Sequence, residues 1–251
     1  MATSLRSLAE CIGLDRNGRI SVLGDFFGFT RNRVPTDPDT SVTARVSLSQ
    51  QFARLKGKHI HLNVIKVGFD TLSSTDEADA LHKIDYAIYR IRDIYRSINL
   101  GVGRIKHFFI TNADADGRGD ISSEDEAEAL WDEWTVPGSG IDVFLVRNIS
   151  AGFVGLSPVD GNCKKSRKDD GLIGGEVGRS FEGVARTFAH EVGHFLGRPH
   201  NHDDGECPTT TAGQNNLMAQ TGCVISIRNS VLLTSGQGSD MRDHCSVRNG
   251  C

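Results

Sequence analysis

His190-Glu191-Val192-Gly193-His194-Phe195-Leu196-Gly197-Arg198-Pro199-His200 is the stretch on which the reading of the whole chain turns. If the part before Gly197 is helical, His190 and His194 stand four positions apart on one face, where both imidazoles reach a single metal ion. Glu191 sits beside them as a base. Gly197 suits the left-handed conformation that ends a helix, and Pro199 disfavours helical geometry at Arg198. The chain is therefore expected to turn here and bring His200 back as a third ligand. Three neutral imidazoles leave one tetrahedral position for water, the arrangement of a catalytic rather than a structural zinc site.

Working outward, residues 181–196 continue this helix, with Val184, Phe188, Val192 and Phe195 apolar behind the ligands. Just upstream, the basic run Lys164-Lys165-Ser166-Arg167-Lys168 and then Gly171, Gly174, Gly175 and Gly178 read as a solvated, mobile loop entering the helix. Residues 150–159 read as a glycine-tolerant edge strand. Its Gly152, Phe153, Val154, Gly155 and Leu156 would offer free backbone groups to an extended peptide.

Farther upstream, residues 58–69 alternate as a strand. Leu81, Ile84, Ile88, Ile91, Tyr95 and Ile98 recur at steps of three and four, predicting a long helix over 78–100 with Ser74 or Thr75 as cap and Gly101 as stop. Strands are expected at 104–111 and 141–146, with a short helix at 124–134 between them. Asn112, Asp114, Asp116 and Asp120 present alternate oxygens around Gly117 and resemble the start of a calcium loop. Ser123 stands where the bidentate Glu belongs, however, and Glu124 comes one residue late. A solvated acidic turn is the plainer reading. Arg118-Gly119-Asp120 is also an RGD tripeptide, an adhesive signal if displayed on a loop tip.

Composition is that of a globular chain: 251 residues, 38% hydrophobic, with a net charge of -4 that points to neither a nucleic-acid nor a membrane partner. No stretch is long enough to span a bilayer. Of six cysteines, five lie in the last third (Cys163, Cys207, Cys223, Cys245, Cys251), which predicts disulfides and extracellular or exported action. Residues 1–20 carry too many charges for a signal peptide, so export by another route, or a cytoplasmic stage before it, is also consistent. Proximity suggests pairing Cys207 with Cys223 and Cys245 with Cys251. Residues 1–55 read as an N-terminal extension of extra strands, or as an inhibitory pro-segment placing Cys11 or Asp25 on the metal.

With its glycine and third histidine, the opening stretch resembles the signature of the metzincin clan of zinc endopeptidases, matched by His190, Glu191, His194, Gly197 and His200. That clan also carries a Met-containing turn beneath the metal, supplied here by Asn215-Asn216-Leu217-Met218-Ala219. Leu233-Thr234-Ser235-Gly236-Gln237 with Met241-Arg242 resembles the closing helix of pappalysin-like and related bacterial metzincins. The resemblance implies an α/β (α+β) catalytic domain over 56–251. Its upper lobe, 56–197, would hold a mixed twisted sheet and two long helices. Its lower lobe, 198–251, would be short, irregular and cysteine-bearing, with a C-terminal helix. Gln220 replaces the Tyr that some relatives place two residues after the Met, so tyrosine assistance is not expected. Asn201 leaves the subfamily open.

The expected activity is endopeptidase hydrolysis, with a zinc-activated water deprotonated by Glu191. Hydrolysis of a non-peptide amide by the same centre is the alternative, and an RGD-type binding protein with a structural zinc is the alternative from another class. His202 reads as a solvent-exposed loop histidine, and Asp203 or Asp204 as a partner for a ligating imidazole.

Overall fold

The computed structural model describes residues 57–165, 168–203 and 205–250, and the extension with Cys11 and Asp25 lies outside them, as do Asp204 and Cys251. The described part opens on strand β1 (Lys58–Val67) and helix α1 (Ser74–Arg96), followed by β2 (Gly101–Ile110), a two-residue β3 (Asp120–Ile121) and α2 (Glu124–Glu133). Then come β4 (Gly140–Val146), a two-residue β5 (Asn148–Ile149), β6 (Gly171–Glu176) and the helix of the histidines, α3 (Phe181–Phe195). The remainder holds a short α4 (Thr211–Gln214), α5 (Ser235–Asp243) and β7 (Arg248–Asn249). The sheet runs β2-β1-β4-β6, all parallel, and β7 pairs antiparallel with the first residues of β1, which makes it mixed.

Parallel strands are covered on both faces, and the alternation in β1 divides accordingly. Ile60, Leu62 and Val64 face the core shared with α1 and α3, whereas Ile65 and Val67 face a second core built on Trp131 and Leu130 of α2. Ser73, one residue before the predicted caps, caps α1 by accepting the Asp76 amide. After α1, Asn99 takes the left-handed conformation (φ 54°), so that Gly101 begins β2 instead of stopping the helix. No helix among the described residues is long and apolar enough to cross a membrane.

Two expectations fail between β4 and α3. Residues 171–176 are a buried strand, not a mobile loop. A glycine run reads as a loop only while its neighbours are unknown. At Gly174 an added Cβ would stand 2.5 Å from Val143 Cγ1 and 3.4 Å from Phe188, so the missing side chain lets β6 lie between β4 and α3. Conversely, residues 150–159 form no strand. Their ladder is the single antiparallel bridge Leu156 to Ile173, with bonds of 3.1 and 2.8 Å, and bends occupy the rest. Gly152, Gly155 and Pro158 interrupt the extended run. Gly152, Phe153 and Val154 therefore do not present the expected rail. The basic run is not simply solvated either, because Lys165 Nζ reaches Asp142, fully buried on β4, at 2.7 Å.

Cys207 pairs with Cys223 as expected, but Cys245 pairs with Cys163 and not with Cys251. Nearness in sequence misled here. The turn after α5 places Cys245 against the loop that follows Gly161, with a Cα–Cα distance of 6.1 Å, while β7 carries the chain on to β1.

Candidate active site

Ser180 caps α3 by accepting the Gly183 amide, and Gly197 (φ 85°) ends it. The Gly197 amide donates to His194 O (2.8 Å) and the Arg198 amide to Gly193 O (3.1 Å), the paired bonds of a Schellman termination. The chain reverses and returns His200 to the two helical histidines. Ring centroids lie 4.5 Å apart for His190 and His194, 4.7 Å for His194 and His200, and 5.4 Å for His190 and His200. One nitrogen from each ring falls within 4.8 Å of the others.

The hydrogen bonds fix which nitrogens are free. His190 Nδ1 lies 2.6 Å from Leu217 O and His194 Nδ1 2.5 Å from Arg198 O. A carbonyl oxygen only accepts, so both Nδ1 atoms carry their protons. The Nε2 lone pairs are then left facing each other at 3.0 Å. Burial lowers the pKa of His190 well below its ordinary value and that of His194 to about 4, so no proton bridges them near neutrality. Two inward lone pairs and a third imidazole fit a cation of the zinc type, for which neutral imidazole is a preferred donor.

Glu191 is buried beside this cluster, and burial raises its pKa to about 8 against an opposing pull from Arg186. Gly155 lies directly over it: an added Cβ would stand 2.7 Å from Glu191 Cγ and 2.9 Å from its Oε1. Gly155 therefore belongs to the site through close approach, not as part of a strand.

Met218 is fully buried under α3, in the turn expected of it. A Cβ on Gly193 would lie 2.7 Å from its Sδ, so the glycine between the two histidines is the space the sulfur occupies. Asn216 shapes the turn. Its Oδ1 accepts the Met218 amide at 2.8 Å, and its side chain exchanges two hydrogen bonds with Gln237 of α5. Gln237 also completes a capping box with Thr234. The Asn201 amide donates to Met218 O at 3.1 Å, joining the third-histidine segment to the same turn.

Other expectations are corrected. His202 is not a free loop histidine: it stacks on His200 (5.5 Å, 8°), and its Nε2 accepts the Gln220 amide at 3.1 Å. For His190 and His194 the partners are backbone carbonyls and not Asp203. The calcium reading finds no support, since the carboxylates of Asp114, Asp116 and Asp120 do not come together. Asp114 takes the Thr111 hydroxyl, Asp116 pairs with Arg118, and Asp120 and Asn112 turn to Arg147. Among the described residues they form no group able to hold an ion. The adhesive reading fails, because Arg118 is engaged by Glu133 and Gly119 packs on Gly68.

Residues 70–231 match the model of Metallo-peptidase family M12. The chain belongs to that family. It is similar to metalloproteinase-II from Bacteroides fragilis at 15% identity, covering 88% of this chain and 58% of that one, with a TM-score of 0.49. A chaperone–substrate complex is similar at 14% identity over 74% of this chain and 34% of that one, with a TM-score of 0.48. Archaemetzincin from Methanopyrus kandleri is similar at 17% identity, covering 73% and 95%, with a TM-score of 0.46. The M12 chain thus spans little more than half of the first of these and a third of the second. No curated protein matches it by sequence.

Sequence reasoning passed over Arg186 and Tyr95. Tyr95 of α1 donates from its hydroxyl to Ala189 O at 2.8 Å, fixing the helix next to His190. Its place in an apolar stripe concealed that role. Arg186, charged at a position four before a ligand candidate and on the buried side of an amphipathic helix, was a legible anomaly.

Proposed function

We propose that this metallopeptidase is a zinc endopeptidase of metzincin type whose metal is held by His190, His194 and His200 and whose general base is Glu191. The observation that carries this reading is the pair of Nε2 lone pairs at 3.0 Å, fixed inward by Leu217 O and Arg198 O beside a buried carboxylate. When bound, zinc supplies Lewis acidity: it lowers the pKa of a water and offsets negative charge on the scissile carbonyl oxygen. Glu191 takes the proton of the attacking water and returns it to the departing amine. Met218 and Asn216 hold the floor of the site.

The domain reading goes with this function. We place the catalytic unit at 56–251, divided at Gly197, with 1–55 as an extension that either packs on it or restrains it. The disulfides fit action in an oxidising, extracellular setting.

The test is cleavage of a denatured protein by the full chain, with and without a zinc chelator, beside a panel of non-peptide amides. Chelator-sensitive internal cleavage is expected. Turnover of amides alone would overturn the peptidase reading, and chelator-resistant cleavage would overturn the metal reading.

Gly155 gives a second expected result. Gly155→Ala drives a methyl group into Glu191 and into Thr187 Cγ2, also 2.7 Å away, so the carboxylate must shift. A displacement of about 1 Å in a catalytic group costs on the order of a hundredfold. We expect kcat/KM on a peptide to fall by about ten- to a hundredfold with little change in melting temperature. Unchanged kcat/KM would mean that Glu191 is not held by this contact.

A further inference from the structure

Arg186 lies on α3 one turn before His190, only 1% exposed. A guanidinium is kept inside a protein only where its donors are met, and here the partners all come from the segment beyond the histidines. Nε donates to Ser230 O (2.9 Å) and one terminal nitrogen to Thr221 Oγ1 (3.1 Å). The other terminal nitrogen donates to Leu217 O (3.1 Å) and to Ala219 O. Leu217 O is the same carbonyl that receives His190 Nδ1 at 2.6 Å. Its two lone pairs are thus divided between a guanidinium and an imidazole borne by one helix.

We propose that Arg186 is a positioning residue for His190. It fixes the Leu217 carbonyl against α3, and that carbonyl in turn fixes the proton on Nδ1 and the plane of the ring. The turn does not need Arg186 for its own shape, which Asn216 and Gln237 already set. What Arg186 adds is the placement of the turn relative to the helix: one terminal nitrogen reaches the Leu217 and Ala219 carbonyls while Ser230 O and Thr221 Oγ1 hold the rest of the planar group. This inference rests on the reading of His190 as a metal ligand.

The experiment compares full-length wild type with Arg186→Met, Arg186→Lys and, as a packing control, Tyr86→Phe, which loosens α3 at Glu182, away from the histidines and from Leu217. Cobalt(II) affinity is read from visible absorption, and the His190 tautomer from ring-nitrogen NMR of the metal-free protein. Loss of a group that orients a metal ligand typically weakens metal binding about ten- to a hundredfold. We expect that loss in both Arg186 variants, since one ammonium cannot replace the fork. The Nδ1–H tautomer should become mixed in both, and Tyr86→Phe should keep wild-type cobalt affinity. A folded Arg186 variant with wild-type affinity and tautomer overturns the proposal. Arg186→Lys decides the matter if the methionine variant fails to fold. A wild-type chain that takes up no cobalt(II) removes the metal reading instead, and the tautomer comparison then decides alone.

Discussion

Glu191→Gln is expected to slow peptide cleavage by about 10²–10⁴-fold, the usual contribution of a positioned acid–base group, while leaving metal uptake intact. The amide has the shape of the carboxylate and fits the same space beneath Gly155, so packing is preserved. His190 and His194 keep their carbonyl partners, neither of which involves Glu191. What is lost is the capacity to accept a proton. Metal content by absorption spectroscopy and kcat/KM on one peptide, both measured on the purified variant, separate the two functions. Cleavage within tenfold of wild type would assign the proton transfer to another group.

Removing the Cys163–Cys245 disulfide is expected to cost about 4 kcal/mol, more than the roughly 3 kcal/mol for Cys207–Cys223. The first bridge joins positions 82 apart and the second positions 16 apart, and the chain entropy released to the unfolded state grows with the enclosed loop. The folded state loses as well. The loop before Cys163 crosses the end of α3, with the Asp160 and Gly161 amides donating to His194 O (3.1 Å) and Phe195 O (2.8 Å). His244 lies 3.1 Å from Gly161 O on the other side. Urea unfolding of a Cys163→Ala/Cys245→Ala double variant measures the effect. An unchanged midpoint with an unchanged slope would mean that these contacts hold the loop without the bridge.

The parts of the fold that were legible are those whose pattern is local. β1, β4, α1 and α3 announce themselves by alternation or by steps of three and four, because each buries one face or both against a neighbour. The convergence of His190, His194 and His200 was legible because helix geometry and a glycine termination bring two helical histidines and a third within eleven residues, whereas the place of Met218 came with the family resemblance. What escaped depends on partners distant in sequence. β6 is a strand because Val143 and Phe188 occupy the space its glycine leaves open, and nothing within 171–176 says so. The acidic loop at 112–120 looked like a cation site until Arg147 and Arg118 supplied the positive charge. Cys245 found a partner 82 residues away because a turn in space outweighed a short stretch of chain. Arg186 was visible as a buried charge, but its carbonyl partners lie 31–44 residues on.

The ion pair of Lys165 with Asp142 bears on which loops a protease can enter. Cleavage needs extended backbone, and surface loops are where it is found. Polar, basic stretches such as Lys164–Lys165 would ordinarily be among the first to be nicked. This one is tethered at Cys163 to Cys245 and at Lys165 to the buried Asp142, two anchors within three residues. Between such anchors the backbone cannot straighten to lie in another molecule's cleft unless a buried charge is exposed or a covalent bond is broken. Protection of this stretch is thus set in the sheet, through the Asp142 carboxylate of β4.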